Sequence, residues 1–386
     1  MSETAPQSAS GAPFMRAERE TLERFAPSLL SFLEGHSLLE LEEPGNGAIQ
    51  AFRESGAPAL LVPRERGGKG ATPLELVRLH RAIASRSPSL AIATTMHHFS
   101  LATLVEYCAT ASEVEWLLIE GLAAENMLLA SGVAEGRSRQ PMLATTMIAV
   151  PHGEGFLING IKKPCSLAHS MDLLTATVGV LNEGSGEMEP AVALVPASSS
   201  GIERKPFWNA AVLRAAESDE VILKDVEVPA RLVLKHVEHD PEGRFYARGM
   251  LWFELMVTAA YLGVASALVE RALSAGRLEA GARMRPLAEI ELCGQALERQ
   301  ASRLPGDEDT EELLADLLLV RYATQDAISR VSAACLELLG GVAFISSPEV
   351  SYLLASAPAL MFHPPSRERA AAGLDGYFAG EPLKLE

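Results

Sequence analysis

A chain of 386 residues with 48% hydrophobic content is too long for one simple core, and its formal net charge of −17 argues against nucleic acid and anionic membranes, which both need basic stripes. No window of about 18 uncharged apolar residues reads as a membrane span, and MSETAPQSASGAP lacks an apolar signal region, so residues 1–16 are expected to be a disordered lead-in. Cys108, Cys165, Cys293 and Cys335 form no C-x-x-C pair and the adjacent His97 and His98 suit no metal site, so a reduced cytoplasmic protein without metal is expected.

Residues 17–126 carry a helical pattern. TLERFAPSLLSFLEGHSLLELEE and IQAFRESGAPALLVP repeat apolar residues at i, i+3 and i+4. Gly67, Gly68 and Gly70 mark a tight turn. Thr72 and Pro73 then read as the N-cap and first position of a helix that ends at Pro88. Over 127–240 the period changes to short β-branched runs: MLATTMIAV, GFLING, DLLTATVGVL, PAVALVPA and EVILKDVEVP, with a hairpin turn at residues 152–155. Over 241–386 the helical period returns. The long apolar segment 250–275 has more apolar surface than one bundle seam needs, and Gly340 and Gly341 are expected to close a helix begun near Asp309. The expected fold class is α+β: an N-terminal helical bundle, a central β-sheet or barrel domain, and a C-terminal four-helix bundle.

Five segments occur in a telling order. They are Val62-Pro63 with Gly67-Gly68 and Gly70, SGVAEG from Ser131, the turn Asn159-Gly160-x-Lys162, the strand Asp225-Val226-x-Val228-Pro229, and Leu339-Gly340-Gly341. In this order and spacing the whole chain resembles the acyl-CoA dehydrogenase family. The resemblance implies FAD as cofactor and an acyl-CoA or acyl-carrier-protein substrate, desaturated between its α and β carbons. It also implies a homodimer or homotetramer assembled through the C-terminal helices. Arg277, Arg283 and Arg285, or Arg204 and Lys205, offer basic patches for an acidic acyl carrier.

Carried over position by position, the resemblance assigns cofactor contacts to Ser131, Val133 and Ala134 in the first loop. It assigns others to Pro164 and Ser166 beside the flavin, to Gly340 and Gly341 near the adenine, and to Ser366. The departures are as informative. Pro164 stands where the family has an aromatic wall, the loop from Ala134 to Pro141 keeps only one glutamate, and Glu279 begins the segment that should hold the pyrophosphate. At the usual catalytic glutamate stands Pro364, which cannot take a proton. The base is therefore expected elsewhere. Glu254 is the acid in an uncharged helix next to the family's alternative base position, Phe253, and His363 is the second candidate. Two other functions fit a chain without that glutamate: a flavin-dependent monooxygenase on the same fold, and a non-catalytic subunit completing a partner's FAD site.

Overall fold

The computed structural model describes residues 13–110, 113–136, 145–182, 184, 186–235, 244–275, 279–306 and 308–385. Most of the expected lead-in, the Arg137–Pro141 part of the first loop, and Arg277 lie outside the described residues.

Helices come first: α1 (Arg16–Phe25), α2 (Pro27–Glu34), α3 (Leu38–Glu42), α4 (Ala48–Glu54), α5 (Pro73–Arg86), α6 (Pro88–Thr110) and α7 (Glu113–Ala124). Thr72 caps α5 as its sequence promises. Its hydroxyl accepts the Glu75 N–H while the Glu75 carboxylate accepts the Thr72 N–H, so two otherwise orphaned donors are satisfied.

The strands β1 (Leu129–Gly132), β2 (Ile148–His152), β3 (Gly155–Cys165), β4 (Leu173–Leu181), β5 (Met188–Pro196), β6 (Ile202–Lys205), β7 (Asp219–Pro229) and β8 (Val233–Lys235) follow. They form one sheet in the order β6-β7-β3-β2-β4-β5-β8, with β1 added beside β4. The β2–β4 and β1–β4 pairs are parallel and the others antiparallel. Residues 173–180 of β4 are all buried, so its run LLTATVGV shows no polar alternation.

Helices return in α8 (Arg244–Ser274), α9 (Ala280–Arg303), α10 (Thr310–Ser346), α11 (Pro348–Ser356) and α12 (Arg367–Phe378). Together the elements give a mixed α+β fold. Helix α8 is its axis. Residues 251–269 are buried without interruption, against α5 and α6 on one side and α9 and α10 on the other. At Gly263 an added Cβ would lie 2.3 Å from the Arg81 carbonyl oxygen, so α5 and α8 cross backbone to backbone only because no side chain intervenes. The Arg81 guanidinium then joins four helices, donating to Glu18 at 2.6 Å, Glu291 at 2.7 Å and Ser266 at 3.1 Å.

One sequence expectation is corrected here and one is met. The apolar surplus on 250–275 is covered within the chain, so it is no argument for a subunit interface. As expected, the helix capped by Asp309 closes at Gly340, whose φ of 78° and ψ of 170° are not helical, and a short second helical stretch follows the kink to Ser346. Beyond that kink Val342 and Ile345 stand 80% and 85% exposed.

Candidate active site

A cavity of about 460 Å³ lies where α6, α8 and the strand region meet, with the segment after α11 at its edge. The spacing of α6 turns Ile92, Met96, Phe99, Ser100 and Thr103 to this space, and α8 contributes Phe245, Gly249 and Phe253 in register one turn apart. The strand region supplies Ser131, Val133, Ala134, Glu135, Lys163, Pro164, Ser166, Thr175 and Ser218. Leu213 closes one wall. Its N–H donates to the Tyr352 hydroxyl at 2.7 Å, and that hydroxyl in turn donates to buried Glu42.

The charge lining the cavity floor is internally matched. Glu135 accepts hydrogen bonds from Lys162 Nζ at 2.9 Å, Thr145 Oγ1 at 2.8 Å, and both the amide and hydroxyl of Thr146. Burial opposes ionisation of this carboxyl, but those donors prevail and hold it at about 2. Lys162, fully buried, gives its remaining protons to Thr145 and Thr177 at 3.1 and 2.8 Å.

The polar group opposite is uncharged. His363 Nε2 and the Tyr261 hydroxyl are 2.9 Å apart, and burial, with Arg321 nearby, pushes the imidazole down to about 3. Burial raises the Tyr261 phenol as well. Arg321 sits beneath, donating to the carbonyls of Leu360 at 3.1 Å, His363 at 2.6 Å, and Pro365. It thereby shapes the turn that presents His363.

The structure brings Ser131, Val133, Ala134, Pro164, Ser166, His363 and Pro364 to one cavity. It leaves Glu254 out, and this corrects the assignment of that residue as base. Phe253 lines the cavity, but one residue along a helix is a rotation of about 100°, which turns Glu254 into the bundle. There it is fully buried 3.1 Å from Arg321 Nε, with no hydrogen bond to either carboxylate oxygen. Burial pushes its carboxyl up to about 8 against the pull of Arg321. Gly340 and Gly341 are not among the lining residues, and Ser366 instead caps α12, its hydroxyl accepting the Arg369 N–H.

Sequence reasoning passed over Phe99, Ser100, Thr103, Trp208, Ser218, Phe245 and Tyr261, all of which line the cavity. The four-residue recurrence of Ile92, Met96, Ser100 on α6 was a readable signal. Ser218 and Trp208 reach the cavity through the β6–β7 connection and had none.

No family model matches the chain. Isobutylamine N-hydroxylase of Streptomyces viridifaciens is 41% identical over 375 residues, which is 96% of this chain and 99% of that one. A very long-chain specific acyl-CoA dehydrogenase of Macaca fascicularis is 21% identical over 358 residues, 88% of this chain and 54% of the relative. The chain belongs to the acyl-CoA dehydrogenase family. Among solved members of this fold, FMN-bound TdsC of Paenibacillus sp. A11-2, a dibenzothiophene monooxygenase, superposes with a TM-score of 0.79 at 18% identity over 97% of this chain and 99% of its own.

Within the acyl-CoA dehydrogenase family, a group of flavin-dependent oxidoreductases, the chain is a diverged member. The expectation of an α,β-desaturating acyl-thioester dehydrogenase is overturned. The relative matched over nearly its full length is an N-hydroxylase, and the cavity holds Pro364 where the family's base would stand, with Glu254 out of reach.

Proposed function

We propose that this protein is a flavin-dependent monooxygenase that hydroxylates the nitrogen of a small apolar primary amine. The net reaction is R–NH2 + O2 + reduced flavin → R–NHOH + H2O + oxidised flavin. The observation that carries the reading is the neutral Tyr261–His363 pair facing an apolar cavity whose carboxylate, Glu135, is already matched by Lys162. An acyl-desaturating enzyme needs a carboxylate base at that place, whereas an oxygenase does not. The relation to isobutylamine N-hydroxylase supports the substrate class.

The cavity suits the ring system shared by FMN and FAD. Ser166 and Ser218 line it with their hydroxyl oxygens 2.9 Å apart. Two hydroxyls carry two protons, and their mutual bond uses one. The second has no acceptor among the described residues and is available to a ring nitrogen or carbonyl. The backbone of residues 131–136 and Pro164 supply the adjoining wall. Bound in reduced form, the flavin supplies the two electrons and activates O2.

The chain's own contribution is to exclude water, orient the amine, and hold a proton at the Tyr261–His363 pair for the departing oxygen. Because burial holds both His363 and Tyr261 neutral, the pair orients its proton by hydrogen bonding without placing a charge in the apolar cavity.

The test supplies the protein with NADH, a flavin reductase and O2, adding FMN and FAD in parallel, and offers a panel of alkylamines. Mass spectrometry should find the hydroxylamine with at least one of them. Reduced flavin consumed only to hydrogen peroxide across the whole panel would overturn the reading.

A further inference from the structure

Two hydroxyl oxygens in the cavity have their protons committed elsewhere. Thr103 Oγ1 donates to the Phe99 carbonyl at 2.7 Å. Thr175 Oγ1 lies 3.0 Å from the Ala130 carbonyl and 3.1 Å from Ser100 Oγ. A carbonyl only accepts, so the arrangement that satisfies every atom has Thr175 donating to Ala130 and Ser100 donating to Thr175. Ser100 and Thr103 then present lone pairs alone. Both are more than nine-tenths buried, both line the cavity, and their i, i+3 spacing sets them side by side on α6.

On the α8 side the helix backbone comes close to Thr103. Gly249 faces Thr103, and a Cβ added there would stand 3.3 Å from Thr103 Oγ1. Met96, Phe99 and Phe253 surround the pair with apolar surface, and the Phe253 ring touches both the Phe99 and His363 rings. The two acceptors and the histidine thus open on one space.

We propose that Ser100 and Thr103 form the amine-recognition site, their oxygens accepting the two N–H bonds of a neutral primary amine and leaving its lone pair free for the incoming oxygen atom. This rests on the N-hydroxylase reading. In the balanced reaction an N–O bond forms and the O–O bond breaks. One oxygen leaves as water; the displaced amine proton and the two hydrogens of the reduced flavin complete the new hydroxyl and the water, so the site gives up no net proton, and the two electrons come from the reduced flavin. The same acceptors reject an ammonium. A third N–H would find no partner, and the charge would be buried beside a carboxylate already matched by Lys162. A secondary amine offers one N–H and forfeits one bond.

The experiment titrates isobutylamine and N-methylisobutylamine calorimetrically into protein loaded with oxidised FMN, comparing wild type with S100A, T103V and T103S, alongside hydroxylamine yield. S100A and T103V should each weaken isobutylamine binding about 3- to 10-fold, the range of one neutral hydrogen bond. The preference for the primary over the N-methyl amine should shrink towards one. T103S should restore both, with flavin retention unchanged throughout. Hydroxylation by wild type with unaltered affinity and preference in S100A and T103V would overturn the site alone. Wild type that neither binds nor hydroxylates any amine would overturn the N-hydroxylase reading together with the site.

Discussion

At the scale of single residues, the decisive fact is a helical turn. Phe253 and Glu254 are neighbours in sequence, yet one faces the cavity and the other Arg321. The sequence announced that a carboxylate would be buried here. It did not announce the direction, because α8 is apolar on every face and offers no polar stripe to phase it. His363 was legible as a candidate, whereas its partner Tyr261, more than a hundred residues away, was not. H363A should lower hydroxylamine formation by about 10²–10⁴-fold and divert oxygen to peroxide, as expected when a positioned proton carrier is lost. An imidazole held near 3 also places no inflection of its own between pH 5 and 8, so a steep break near pH 6.5 in turnover that H363Q abolishes would contradict the neutral pair. E254Q should leave turnover within about threefold, and a hundredfold loss would return Glu254 to the chemistry. Its folded carboxyl is raised to about 8, so what it adds to stability is present below the unfolded value and lost as pH rises through 8. Glutamine does not titrate. The stability of E254Q relative to wild type, read from urea midpoints, should therefore rise from pH 6 to pH 8.5.

At the scale of elements, α5 and α6 enclose three histidines that the sequence showed only as an odd adjacent pair. His97 accepts the Leu129 N–H through Nδ1 and meets the Pro58 carbonyl through Nε2, tying α6 to β1 and to the turn before α5. His80 Nε2 and His98 Nδ1 are 2.9 Å apart, and His98 Nε2 faces the Ala57 carbonyl at 3.1 Å. Every ring nitrogen in that path has one role only if the rings are neutral. Burial enforces this, holding His80 at about 3, His97 at about 4 and His98 well below its ordinary value. These depressed values make the unfolded chain the better proton acceptor below pH 6.5. Stability should therefore be intact above 6.5 and fall as pH drops towards 4. Glu42 and Glu254, pushed up by burial, oppose this, while His363, itself held near 3, adds to it, so two carboxyls stand against four imidazoles. A urea midpoint unchanged between pH 7.5 and pH 5 would refute it. The helix boundaries around these residues were readable from Thr72, Pro73 and Pro88. The histidine chain was not, because it is a tertiary contact between two helices and a turn.

At the scale of the molecule, the change of period from helix to strand and back was plain in the sequence, while the way the last helical region threads between the others was not. Assembly follows from what remains uncovered. Val342, Phe344 and Ile345 stand exposed beyond the Gly340 kink, and we expect them to meet a second copy. The double variant V342D/I345D should shift sedimentation towards about 41 kDa, whereas an unchanged assembly, or a wild type already monomeric, would refute this. The central place of α8 bears on how the protein is made. The inner faces of α5 and α6 leave the ribosome before the whole strand region, and their partner follows only from Arg244 onward. At ordinary synthesis rates that interval is roughly ten to thirty seconds. For that time the nascent chain carries an open apolar trough with nothing to fill it. A holding chaperone is the natural occupant, and chains released before residue 244 should precipitate rather than persist as a free helical fragment.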